Sequence, residues 1–186
     1  DYAKWLQKGL AVLRAQAEIC SDANGSFDLR FSGQFRPLRT DAVICRAGGE
    51  KRSGDAWSVV LDPEGWERAA ERTIVYQVNP SVRGSSGVRL MPMRNGAPDL
   101  GSILRDLGSL GFLSAELSGD PELFRLALRS GLIDSVTARF SPQDDSLRAL
   151  SQIGKVKLSE GGEPLEIRFN GARLVGGHLE AHVELC

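Results

Sequence analysis

The stretch from Gly101 to Pro142 most constrains what this chain can fold into, because its periodicity switches between helical and extended more than once. Leu100, Ile103, Leu104, Leu107 and Leu110 recur at helical spacing, and Gly108 and Gly111 punctuate the run. Phe112 to Leu117 is then a mostly apolar segment of strand length. Ser118-Gly119-Asp120-Pro121-Glu122 opens a second helix. Asp120 suits the N-cap, Pro121 the first helical position, and Glu122 the positive end of the helix dipole. Gly131 stands where a left-handed cap ends that helix, and Val136 to Phe140 returns to strand. The pattern predicts a right-handed βαβ unit, whose strand-to-helix loop is the usual place for a ligand in such folds.

The remaining segments extend this α/β reading. Tyr2 to Leu13 is helix-like, and Ala11 to Cys20 reads as the first strand, ending in the turn-forming run Ser21-Asp22-Ala23-Asn24-Gly25. Ser26 to Thr40 reads as short and irregular, with Phe27, Phe31 and Phe35 spaced as a packed helical or half-buried stripe. Asp41 to Cys45, Trp57 to Asp62, Thr73 to Val78 and Val88 to Met91 read as strands, and Asn79 to Gly87 and Arg94 to Pro98 as loops. Near the C-terminus, Leu165, Ile167 and Phe169 alternate with polar residues. Gly176-Gly177 then turns the chain, and Leu179, Ala181, Val183 and Leu185 alternate again. His178, Glu180 and His182 share the other face of that last strand, which reads as solvated rather than metal-binding. The expected architecture is a mostly parallel central sheet flanked by helices, with a C-terminal antiparallel hairpin.

Composition narrows the function classes. A chain of 186 residues with 41% hydrophobic content suits one globular domain spanning 1–186. A net charge of −1 implies no nucleic-acid partner and no membrane surface, and no apolar run reaches spanning length. Cys20, Cys45 and Cys186 lack metal-like or redox-like spacing. They read as reduced thiols of a cytoplasmic, stromal or matrix protein that is not secreted.

Three segments carry a resemblance. The loop at Ser118 to Pro121, the Pro-x-Leu helix start and Gly131-Leu132-Ile133-Asp134 resemble the reductase half of the bifunctional deaminase–reductases of riboflavin biosynthesis. Asp41 to Cys45 and Val59 to Pro63 are similar to that family as well. The resemblance implies a dihydrofolate-reductase-like fold and NADPH as cofactor. It also implies the activity of a 5-amino-6-(5-phosphoribosylamino)uracil reductase. On matching positions it places Gly48, Gly49, Ser118 and Gly119 against the cofactor, and Asp22 near the reacting atoms as the catalytic residue. Tyr2 and Gly9 fall where that family passes from its deaminase half into its reductase half. Residues 1–10 then resemble a junction helix, and a covalently linked deaminase domain is the partner implied. The deaminase zinc signature, His-x-Glu with a later Pro-Cys-x-x-Cys, is absent from this chain. A homodimer, formed through the antiparallel edge and exposed apolar residues, is the other expected partner.

The departures from the family pattern lie where ligands would touch. The family has Glu-Gly-Gly-Pro where this chain has Ser118, Gly119, Asp120 and Pro121. It has Gly-Ala-Gly-Thr where this chain has Arg46, Ala47, Gly48 and Gly49. Gln16 replaces a lysine ahead of Asp22, and two pocket segments are shortened. A carboxylate about 4 Å from a diphosphate repels it by roughly 4 kcal/mol in a moderately screened site. That weakens binding on the order of a thousandfold unless Arg46 and Arg52 compensate. Asp120 as an N-cap contributes about 1 kcal/mol to folding instead. Two readings stand. One is a degenerate, non-catalytic reductase-like domain that supports a deaminase half or an oligomer and binds no cofactor. The other is an active NADPH-dependent reductase of a phosphorylated ribosylamino-pyrimidine.

Overall fold

A computed structural model describes residues 2–21, 27–31, 39–49, 55–80, 87–118, 120–140, 155–160, 163–175 and 178–185. In chain order, the first elements are α1 (Tyr2–Lys8), β1 (Val12–Ser21), β2 (Phe27–Phe31), β3 (Ala42–Arg46), β4 (Trp57–Leu61) and β5 (Thr73–Gln77). Then come β6 (Val88–Leu90), β7 (Met93–Arg94), β8 (Ala97–Pro98), α2 (Leu100–Ser109), β9 (Ser114–Leu117) and α3 (Pro121–Arg129). The C-terminal part holds β10 (Ile133–Phe140), β11 (Lys155–Glu160), β12 (Glu163–Val175) and β13 (His178–Leu185). The chain divides into two compact units built from alternate segments. The first unit is Asp1–Leu13 with Pro37–Leu132, and the second is Arg14–Arg36 with Ile133–Cys186.

The first unit is a parallel sheet in the order β9-β3-β4-β5-β6. Its central strands are near-continuous apolar runs because both faces are covered. All five residues of β5 are buried, as are Ala42 to Cys45 of β3 and Ser58 to Leu61 of β4. α2 covers the sheet with Leu100, Ile103, Leu104 and Leu107, and α3 with Leu123, Phe124 and Ala127. Both helices start at an aspartate cap, that of α3 as its sequence predicts. The Asp99 side chain accepts from the Ser102 N–H at 3.2 Å. Asp120 does the same for the Glu122 N–H at 2.8 Å and the Leu123 N–H at 3.2 Å, with Pro121 at the first helical position. Gly108 of α2 lies so close to the backbone of Gly9 that an added Cβ would stand 2.4 Å from the Gly9 carbonyl oxygen. Asp41 sets the start of the sheet, accepting from the Leu113 N–H at 2.8 Å and the Ser114 N–H at 2.9 Å.

The second unit is mostly antiparallel. β1 pairs with β2, β11 with β12, β12 with β13, and β13 with β10, all antiparallel, whereas β11 runs parallel to β2. The apolar positions of β12 are Leu165, Ile167 and Phe169, then Ala172 and Leu174, so the alternation slips by one residue. The ladder absorbs the slip. Ile167 stands opposite Leu185 and Phe169 opposite Val183, an irregularity follows between Phe169 and Gly171, and Ala172 stands opposite Ala181. One extra residue keeps the apolar set in phase with its partner strand.

The mostly parallel sheet with covering helices and the C-terminal antiparallel hairpin are as expected, but several local readings change. Phe27 to Phe31 forms a strand rather than an irregular or helical stripe. Phe27 and Phe31 lie four apart, a spacing that one face of a strand shares with a helix. β11 was not anticipated. The Arg94 to Pro98 loop is a miniature hairpin, in which Asn95 (φ 52°) and Gly96 (φ 79°) adopt the left-handed conformations a two-residue turn requires. β9, α3 and β10 follow in the predicted order. β9 pairs with β3, and β10 with β13.

Candidate functional site

The carboxyl ends of β3, β4 and β9 bring three loops of the first unit together. The ladder between β3 and β9 extends to Ser118, whose N–H donates to the Ile44 carbonyl at 2.9 Å. This places the start of α3 beside the loop that follows Arg46. Likewise the Ala47 N–H donates to the Leu61 carbonyl at 3.0 Å, carrying the β3–β4 pairing to the end of β4.

Gly48 and Gly49 sit in a tight turn closed by the Gly49 N–H donating to the Arg46 carbonyl at 3.0 Å. Gly48 has φ 75°, and a Cβ on Gly49 would stand 2.9 Å from the Arg46 carbonyl oxygen. Both glycines are therefore demanded by the turn itself. The Gly48 N–H points to the Glu67 carboxylate, with Oε1 at 3.4 Å.

Arg46 is exposed, and its guanidinium pairs with two carboxylates of this chain. Its Nε lies 2.5 Å from Asp120 Oδ2, and a terminal nitrogen lies 2.8 Å from Glu122 Oε2. Asp120 thus has two tasks, capping the first turn of α3 and pairing with Arg46. Of the two arginines that could compensate for Asp120, Arg46 already pairs with two carboxylates of this chain.

Asp62 anchors the third loop. Asp62-Pro63-Glu64-Gly65 has the signature of a turn with Asp first, Pro second and Gly fourth. The fully buried carboxylate accepts from the Gly65 N–H at 3.0 Å, the Glu67 N–H at 2.6 Å and the Gln77 side chain at 3.1 Å. Gln77 also donates to the Glu67 carbonyl at 2.9 Å. Burial pushes the Asp62 carboxyl upward. The donors of Glu67, Gln77, Trp66 and Gly65 together outweigh that effect and hold it below the ordinary carboxylate value. Trp66, on the same loop, is 78% exposed.

Among the sequence-predicted residues, Gly48 and Gly49 follow β3 and Ser118 follows β9, while Asp22 and Gly119 lie outside the described residues. Glu67 was not anticipated, because it reaches Gly48 from nineteen residues along the chain. In the last hairpin, Glu180 stands in register with both Arg173 and Arg139, and His182 with Gly171 and Thr137. Among the described residues no helix is long and apolar enough to cross a membrane.

Neither family models nor curated protein sequences match this chain. Solved structures do. A diaminohydroxyphosphoribosylaminopyrimidine deaminase/5-amino-6-(5-phosphoribosylamino)uracil reductase from Thermotoga maritima superposes with a TM-score of 0.60 at 16% identity, covering 100% of this chain and 59% of that one. The riboflavin biosynthesis reductase of Saccharomyces cerevisiae gives 0.61 at 12% identity, over 96% of this chain and 91% of that one. A pyrimidine reductase-like protein from Corynebacterium diphtheriae gives 0.57 at 12%, over 95% and 92%. The chain thus spans less than two thirds of the length of the bifunctional structure and nearly all of the yeast reductase. Its fold is the dihydrofolate-reductase-like α/β fold of the riboflavin-biosynthesis reductases.

Proposed function

We propose that this chain is a riboflavin-biosynthesis reductase-like domain that has given up hydride transfer and serves as a non-catalytic copy, supporting a deaminase half or an oligomer. The clasp of Arg46 on Asp120 and Glu122 carries this reading. A dinucleotide diphosphate in such a fold needs free N–H donors and a free cation at the strand ends. Here the α3 N–H groups of Glu122 and Leu123 are taken by Asp120, Arg46 is taken by Asp120 and Glu122, and the Gly48 N–H faces Glu67. The obstacle differs from the bare repulsion expected of Asp120. A diphosphate would have to displace carboxylates already bonded to the donors it needs. That the described donors at this end of the sheet are already engaged supports a domain without NADPH.

Titration calorimetry with NADPH at low salt tests the reading, and no saturable heat is expected. Stoichiometric binding, or NADPH oxidation on addition of a phosphorylated ribosylamino-pyrimidine, would restore the active reductase.

A further inference from the structure

The last strand of the parallel sheet has one side without a partner. β6 pairs with β5, setting Val88 beside Val75, Arg89 beside Tyr76 and Leu90 beside Gln77, and no described strand lies beyond it. The Val75 N–H donates to the Gly87 carbonyl at 2.8 Å, and the Met91 N–H to the Gln77 carbonyl at 2.7 Å. Backbone groups alternate in direction along a strand. Residues 87, 89 and 91 therefore face β5, while the N–H and carbonyl groups of Val88 and Leu90 face away from the sheet. An outward charge is one of the devices that guard such an edge. The one charge of β6 is committed elsewhere. Arg89 donates to both carboxylate oxygens of Asp106 on α2 at 2.8 Å, and Asp106 also accepts from the Tyr76 hydroxyl at 2.5 Å. On the opposite face of the strand Leu90 is 67% exposed, and three residues further on Met93 is 43% exposed.

We propose that β6 is a self-association edge, occupied by the β6 of a second copy of this chain running antiparallel to it. A two-fold axis at Arg89 sets Val88 of each copy opposite Leu90 of the other, so that every outward N–H meets an outward carbonyl. The charges suit this occupant. Two bare arginines facing each other would repel, but each Arg89 arrives paired with Asp106, and both side chains are partly exposed. Two such pairs related by a two-fold axis meet head to tail, the guanidinium of one toward the carboxylate of the other. On the other face, Leu90 of each copy lies against Val88 of the other. Three residues of strand span about 10 Å. Even with Met93 added, that edge falls short of the roughly 800 Å² per partner of a stable interface, so the association is weak and concentration-dependent. Self-pairing of β6 gives the non-catalytic domain the oligomer that reading calls for, and its purpose rests on that reading.

Sedimentation velocity of the full chain from about 10 μM to about 1 mM, paired with amide hydrogen exchange, tests the pairing. The mass is expected to move from monomer toward dimer. Over the same range exchange at Val88 and Leu90 is expected to slow about two- to tenfold, while exchange at Arg89 and Met91, whose N–H groups face β5, stays unchanged. Leu90→Lys puts a charge on the edge and is expected to keep the chain monomeric at about 1 mM. Leu90 is exposed, so its loss leaves the core intact, and thermal unfolding verifies this. A monomer at every concentration would overturn the proposal and leave the edge to a partner of another kind. A dimer whose Val88 and Leu90 amides are no better protected than in the monomer, or one that survives Leu90→Lys, would overturn it by placing the contact elsewhere. Protection of both amides that is the same at every dilution would overturn it too, because the chain would then cover its own edge. Binding of NADPH by the wild type would sink the non-catalytic reading and leave the pairing standing, because association is measured without a ligand.

Discussion

Replacing Asp120 separates two contributions that one carboxylate makes at the start of α3. Asp120→Ala removes the cap bonds to Glu122 and Leu123 at 2.8 and 3.2 Å, together with the ion pair to Arg46 at 2.5 Å. Loss of a cap costs about 1 kcal/mol. The pair is shared between a side chain 16% exposed and another 46% exposed, so it lies near the upper end of the surface range, about 0.5–1 kcal/mol. Together these give about 2 kcal/mol, or a Tm lower by roughly 4–8 °C for a chain of this size. Asp120→Ser keeps an oxygen for the cap and gives up only the pair, so about 0.5–1 kcal/mol is expected. Urea unfolding of the two variants beside the wild type, at low salt and near 1 M salt, checks both numbers. The gap between the wild type and Asp120→Ser should narrow at high salt, where the screening length falls to about 3 Å, while the gap between Ser and Ala should persist. Equal stability of the Ser and Ala variants would refute the cap. Equal stability of the wild type and Asp120→Ser at low salt would refute the pair, and with it the view that Arg46 is held by this chain's own acids.

Further expectations follow from the fold. Gly108→Ala should destabilise by about 1–3 kcal/mol despite its better helix propensity, because its methyl would meet the Gly9 carbonyl; thermal unfolding measures it. Asp62 has a lowered folded-state pKa. Its contribution is therefore fully present above the ordinary carboxylate value of about 3.9 and is lost as pH falls through the lower folded value. Asp62→Asn should be less stable at neutral pH and show a shallower acid limb in unfolding curves. Tyr76→Phe removes the hydroxyl that donates to Asp106 at 2.5 Å, beside the Arg89 contact at 2.8 Å, and should cost about 1–2 kcal/mol in urea unfolding. Burial, reinforced by the bond to Asp106 and opposed by Arg89, pushes the Tyr76 phenol upward. An absorbance titration should therefore show a phenol that resists ionisation beyond the ordinary range.

The legible parts of this chain are those in which local chemistry and burial agree. β3, β4 and β5 stood out because strands covered on both faces are apolar throughout. α2 stood out because its apolar residues repeat at helical spacing, and α3 because Asp120, Pro121 and Gly131 mark its ends. β2 and β11 did not. Each is short, and each mixes charge with apolar residues, as in Asp28 and Arg30 or Lys155 and Lys157. Their pairing, with Leu158 opposite Phe27, links positions far apart in the chain. The Gly48-Gly49 turn could be read locally, since four residues close it. The pairings of Arg46 with Asp120 and of Gly48 with Glu67 could not, because only the parallel register of neighbouring strands brings those residues together.

The interleaving of the two units sets the order in which this polypeptide can be completed as it is synthesised. The parallel sheet is contained in residues up to Leu132, so it can close while the remainder is still being made. The other unit must leave Phe27 to Phe31 without its β11 partner until Lys155 to Glu160 has emerged. During that interval β2 holds only the β1 side of its ladder, and the opposite row of backbone groups stays open to any passing strand. Slowing translation across residues 141–160 would prolong that exposure, and aggregation of the nascent chain would be its visible cost.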